Sequence, residues 1–173
     1  MKKAGELLDA SPETLASAVA LVVQVEAPVH EDDVVTRVCG MWDTRAGSRI
    51  QAAILKGATS AVRQGLVSRR GKFYWRTDGI CVPRSRSETG ISGDRIAPEE
   101  YCEVVRLVLG NGHAFARPAM ITEIRAVLGF NRTGSILEEA IGNILEGLLL
   151  EGVLGESSAG LVLRPKPAPG IST

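Results

Sequence analysis

Between residues 44 and 77 the chain places Arg45, Arg49, Lys56, Arg63, Arg69, Arg70, Lys72 and Arg76 and no acid. Fixed cations in such a run neutralise phosphates and release the counter-ions that phosphates hold. Ser48, Gln51, Thr59 and Ser60 lie among them, hydrogen-bonding types that reach phosphate oxygens and base edges. The stretch offers nothing for nucleotide hydrolysis. GLVSRRGKF (65–73) has the glycines and lysine of a phosphate loop. It has one residue too many between the glycines, and Phe73 stands where a hydroxyl would hold Mg²⁺.

Other catalytic constellations are missing. The two histidines, His30 and His113, sit at loops, and His30 is expected beside the acids that open a helix. No H-E-x-x-H, G-x-S-x-G or EF-hand pattern occurs. The adjacent acids Glu99–Glu100 and Glu138–Glu139 do not converge on one site and are expected to be solvated. Cys39, Cys81 and Cys102 form an odd set without a C-x-x-C pair, which argues against a disulfide framework or a cysteine zinc site. They read as small apolar residues of a reducing, cytoplasmic compartment. The longest apolar run, Ala16 to Val23, includes Ser17 and is far short of a membrane span. The expectation is a protein with no catalysis, no cofactor, no metal and no membrane.

The elements that must position the cations come as a repeat. Shifting the 173-residue chain by 86 or 87 places Ser11-Pro12-Glu13 on Ala97-Pro98-Glu99, Arg45-Ala46-Gly47-Ser48 on Arg132-Thr133-Gly134-Ser135, and Gly65-Leu66-Val67 on Gly152-Val153-Leu154. Each copy reads as three helices and a hairpin. In the first, Ser11 caps a helix opening at Pro12 and running through Leu15, Val19, Val22 and Val23. A second helix starts at Glu31-Asp32-Asp33 and buries Val34, Val35, Val38 and Trp42. A third runs from about 47 to 64, with Gly65 as its stop. Leu66-Val67-Ser68 and Phe73-Tyr74-Trp75 then flank Arg69-Arg70-Gly71-Lys72 as a hairpin with glycine in the turn. Trp42 and Trp75 are read as core residues in preference to base-stacking ones.

Three helices and a hairpin form the pattern of a winged helix, a helix-turn-helix variant. The fold class expected is therefore mainly α with small β-hairpins (α+β), a tandem winged-helix repeat. Unit one spans 11–76, a polar connector 77–96, unit two 97–163 and a disordered tail 164–173. In unit two the helices are expected at 98–110, 118–128 and 134–151, with a weaker wing at Val153-Leu154 and Leu161–Leu163.

Charge divides between the copies. Lys+Arg and Asp+Glu are both 20 in the whole chain. Residues 11–86 hold eleven cations and seven acids, and residues 87–163 hold five and eleven. In unit two, residues 131–163 carry Arg132 against Glu138, Glu139, Glu146, Glu151 and Glu156. A third helix that enters a major groove needs cations on its outer face, and a phosphate lattice repels carboxylates. Unit one is thus the expected contact with double-stranded DNA, through Arg45, Ser48, Arg49, Lys56, Arg63, Arg69, Arg70 and Lys72. Two alternatives stand beside this. The basic face is a solvated face, with Arg45 and Arg49 pairing to Asp32, Asp33 or Asp43; or the module docks a protein through Ile136, Leu150 and the glutamates of unit two.

Val25-Glu26-Ala27-Pro28-Val29-His30, Arg45-Ala46-Gly47-Ser48-Arg49-Ile50, Gly71-Lys72-Phe73-Tyr74-Trp75, Val82-Pro83-Arg84, Ile96-Ala97-Pro98-Glu99-Glu100 and Leu128-Gly129-Phe130-Asn131-Arg132-Thr133-Gly134 occur in this order. Together, over about residues 11–163, they resemble an uncharacterised domain family at the C-terminus of large bacterial superfamily I DNA helicases. Those proteins often also carry a very-short-patch-repair-like endonuclease domain. The resemblance implies a DNA-associated accessory module, serving a helicase or nuclease protein in cis or in trans. The chain has no Walker motif, helicase core or nuclease acids, so neither activity transfers, and the resemblance supplies no catalytic residue.

Overall fold

The computed structural model describes residues 4–110 and 112–164, which fall into two compact units, Met1–Cys81 and Val82–Thr173. The chain is mainly helical, with small antiparallel strand pairs.

Unit one contains α1 (Ala4–Leu8), α2 (Pro12–Glu26), β1 (Val29–His30), α3 (Glu31–Met41), α4 (Ser48–Arg63), β2 (Ser68–Arg70) and β3 (Phe73–Trp75). The Thr14 amide donates to the Ser11 hydroxyl at 3.2 Å, so α2 starts where the Ser-Pro pair directs. Leu15, Val19, Val22 and Val23 of α2 meet Val34, Val35 and Val38 of α3 and Ile50, Ile54, Ala58 and Ala61 of α4 in one buried core. Gly57 lets α4 cross closely over α2: a Cβ there would lie 2.5 Å from the Leu15 Cβ. α4 stops at Gly65, whose φ of 71° is left-handed, and the Leu66 amide donates back to the Ala61 carbonyl at 3.0 Å. Trp42 follows α3 and is half-buried against this core.

The hairpin β2–β3 turns through Gly71, at φ 57°. β1 pairs with β3, Val29 opposite Tyr74 and His30 opposite Phe73, and completes a three-stranded sheet of order β1-β3-β2. Neither α1 nor β1 is legible in the sequence pattern. Five and two residues are too few to display a period.

Unit two repeats the order with α5 (Pro98–Leu109), α6 (Arg117–Val127), α7 (Ser135–Leu150), β4 (Leu154–Ser157) and β5 (Gly160–Leu163). Tyr101, Val104 and Val105 of α5, Met120 and Ile124 of α6, and Leu137, Ile141 and Leu145 of α7 form its core. The counterpart of the Val29–Tyr74 strand pair survives as a single bridge, Phe115 with Leu161. Gly160 permits it, since a Cβ there would lie 2.3 Å from the Phe115 carbonyl carbon.

Residues 77–96, which the sequence presents as a polar connector, contain a 3-10 turn at Gly93–Arg95 and two elements of order within unit two. Tyr101 donates its hydroxyl to the Gly93 carbonyl at 2.8 Å. Arg86 lies buried against Glu100, its Nη2 donating to Oε2 at 2.5 Å and its Nη1 to Oε1, while the Arg84 amide donates to Oε1 at 2.9 Å. The expectation that Glu99–Glu100 are both solvated is corrected here. Neighbouring helix positions point about 100° apart, so Glu100 turns inward to zero exposure while Glu99 remains half-exposed. Of the expected tail, only Arg164 belongs to the described residues.

Candidate nucleic-acid interface

α4 buries Ile50, Ile54, Gly57, Ala58, Ser60 and Ala61, which leaves Ser48, Arg49, Gln51, Ala52, Lys56, Thr59 and Arg63 on the outer side. Ser60, grouped by sequence with the contact residues, is thus corrected to an inward position, where its hydroxyl accepts from Gln64 Nε2 at 3.0 Å. Arg49, Lys56 and Arg63 recur every seven residues. Seven residues advance a helix by about two turns, so the three cations form one row with steps of about 10.5 Å. Gly47 stands at the N-cap without a side-chain acceptor, and the first turn has no acid. The amides there stay available to an anion, between the exposed Arg45, Ser48 and Arg49. α3 is built the other way: its first turn holds Glu31, Asp32 and Asp33, and the Asp32 amide donates to His30 Nδ1 at 3.2 Å. His30 is thus a buried helix cap.

The eight cations of residues 44–77 divide into two groups. Among the described residues, the side chains of Arg45, Arg49, Lys56 and Lys72 have no hydrogen-bond or ion-pair partner. Arg45 and Arg49 therefore do not pair with Asp32, Asp33 or Asp43. Arg63 reaches Ser60 Oγ at 3.5 Å. It also faces Glu13, whose carboxyl is held below the usual carboxylate range by its own backbone amide first, then by the Ser11 hydroxyl, with Arg63 adding its charge. The remaining cations are engaged. Arg69 meets Glu31 at 2.8 Å, donates to the Gly71 carbonyl at 2.8 Å and lies over the Tyr74 ring at 5.4 Å. The Arg70 guanidinium stacks over buried Trp75 at 4.4 Å. Arg76 pairs with Asp78 at 3.3 Å. Structure thus gathers Arg49, Lys56 and Arg63 on one row and leaves Lys72 open at the hairpin tip, while Arg69 and Arg70 brace the hairpin.

His30 stands beside the acids that open α3, as the sequence led one to expect, but the contacts of Glu31 and His30 with the hairpin were not legible there. The Glu31 amide donates to the Lys72 carbonyl at 2.9 Å, and the His30 ring meets Phe73 edge-on at 5.2 Å. With the Glu31–Arg69 pair, these contacts bolt the hairpin tip to the start of α3. A signal for the clip is present in the repeat, where the positions matching Glu31 and Arg69 are Arg117 and Glu156.

The equivalent surface of unit two is different in kind. Arg49, Lys56 and Arg63 correspond to Ile136, Asn143 and Leu150, and Gln51, Ala52 and Thr59 correspond to Glu138, Glu139 and Glu146. Ile136 is 53% and Leu150 88% exposed. Arg117 pairs with Glu146 at 2.6 Å. At the hairpin tip, Arg70 and Lys72 give way to Ser157 and Ala159.

Among the described residues no group of three His, Cys, Asp or Glu side chains is placed to hold a metal, and no helix is long and apolar enough to cross a membrane. Burial pushes the Cys39 thiol up, away from the thiolate form a nucleophile needs. Residues 5–52, from α1 into α4, match a family described as a protein of unknown function (DUF3320). No curated protein is matched.

Proposed function

We propose that unit one is a winged helix that binds double-stranded DNA through α4 and the β2–β3 hairpin, as a non-catalytic accessory module of helicase–nuclease machinery. The observation that carries this reading is the row Arg49–Lys56–Arg63, on a helix face without acids and, among the described residues, without counter-ions for its first two members. Exposed cations with no partner gain most from phosphates, because no existing pair must be broken. The uncapped, acid-free start of α4 beside Arg45 and Ser48 adds a backbone phosphate contact. The order of three helices and a hairpin supports the winged-helix assignment. The resemblance to C-terminal domains of superfamily I helicases supports the setting. In this reading unit two, with carboxylates on the matching face, does not touch the duplex.

The test is a titration of the full chain with duplex, single-stranded and RNA probes over a salt series. Arg49→Gln, Lys56→Gln and Arg63→Gln together flatten the log–log salt dependence of duplex binding by roughly 2.7 units, at about 0.9 for each phosphate no longer neutralised. A triple variant with the wild-type slope removes α4 from the interface.

A further inference from the structure

We infer that the outer face of α7 is a docking surface for the α4 face of a second copy of this chain. The two helices occupy the same place in two copies of one element order, so their outer faces compare position by position. On α4, the basic row Arg49–Lys56–Arg63 runs beside a row of small residues, Ala52 and Thr59. On α7, the row Ile136–Asn143–Leu150 runs beside a row of carboxylates, Glu139 and Glu146. One face carries cations and small side chains; the other carries acids and large exposed apolar side chains. Laid together, they satisfy charge against charge and bulk against hollow.

Leu150 at 88% and Ile136 at 53% exposure leave apolar area to be covered. The carboxylates around it select a cationic partner over an apolar one. This chain supplies such a partner itself, since α4 has no acid and, among the described residues, Arg49 and Lys56 have no counter-ion. Equal totals of 20 cations and 20 acids mean that no net repulsion opposes two copies meeting. Each copy carries both faces, so association through them joins like chains. Glu146 is held by Arg117, so Glu138 and Glu139 are the carboxylates available.

Sedimentation velocity of the full chain, without nucleic acid, tests this at about 0.01 M and about 1 M salt, where the screening length falls from about 30 Å to about 3 Å. The chain is expected to self-associate in the first and to be monomeric in the second. Lys56→Glu and Glu139→Lys, both at exposed positions, each raise the dissociation constant of self-association by about tenfold or more. An equimolar mixture of the two restores association, because an α4–α7 contact between unlike chains again joins opposite charges. A chain that stays monomeric at low salt, or single variants that associate as the wild type does, overturns the inference and leaves α7 to a different protein. Failure of duplex binding leaves this result untouched, since no duplex is present.

Discussion

The Arg69 guanidinium meets the Glu31 carboxylate at 2.8 Å and ties β2 to the first turn of α3. One repeat later the same two positions carry reversed charges, Arg117 and Glu156, which line one depression of unit two. The clip makes Arg69 a brace for the hairpin and leaves Lys72 as its open cation. Lys72→Gln is therefore expected to lower the salt slope of duplex binding by about 0.9, and Arg69→Gln by distinctly less. Glu31→Gln costs about 0.2–1 kcal/mol of unit-one stability, the range for a partly exposed pair. The reversed pair Glu31→Arg with Arg69→Glu regains it. Urea unfolding of the wild type, Glu31→Arg, Arg69→Glu and the double variant closes the cycle. Equal slopes for Lys72→Gln and Arg69→Gln would show that the clip does not withhold Arg69.

The buried pair in unit two predicts a larger effect. Arg86 is 5% exposed and Glu100 not at all. Arg86→Met alone strands a carboxylate in the interior and costs about 3–5 kcal/mol. Adding Glu100→Leu recovers much of that, because the remaining charge leaves with its partner. Chemical denaturation followed by circular dichroism reads both. A single variant within about 1 kcal/mol of wild type would mean that Glu100 finds water when Arg86 goes.

Two kinds of helical glycine are expected to respond in opposite directions. Gly57→Ala drives a Cβ to 2.5 Å from the Leu15 Cβ and 3.1 Å from its backbone carbon, which no side-chain rotation relieves. The overpacked contact between α2 and α4 costs about 1–3 kcal/mol. Gly142 and Gly147 of α7 have nothing within 4 Å of a new Cβ. Alanine at either stabilises by up to about 1 kcal/mol through helix propensity. Thermal melts of the three variants distinguish the cases, and a neutral Gly57→Ala would contradict the close crossing.

Much of the architecture is written locally. α2 through α7 follow from apolar positions recurring at helical spacing, with stops at Gly65 and Gly152, both at φ 71°. β1 is invisible in this way: two residues have no period, and Val29 acquires its role from Tyr74, far along the chain. Glu100 misleads for a related reason. Beside Glu99 it looks like a solvated acid, and only Arg86, itself in a polar stretch, makes its burial tolerable.

By itself the sequence determined the repeat, the order of the longer helices and the hairpins, and the division of charge between the copies. Those properties are carried by residue type and spacing along one chain. The folded molecule decided which cations remain available. Arg69 is engaged because Glu31, 38 residues earlier, is brought against it, whereas Arg49 and Lys56 are left open because none of the described acids pairs with them. Side chains distant in sequence compete for a charge only once packing has made them neighbours, and no pattern along the chain records that competition.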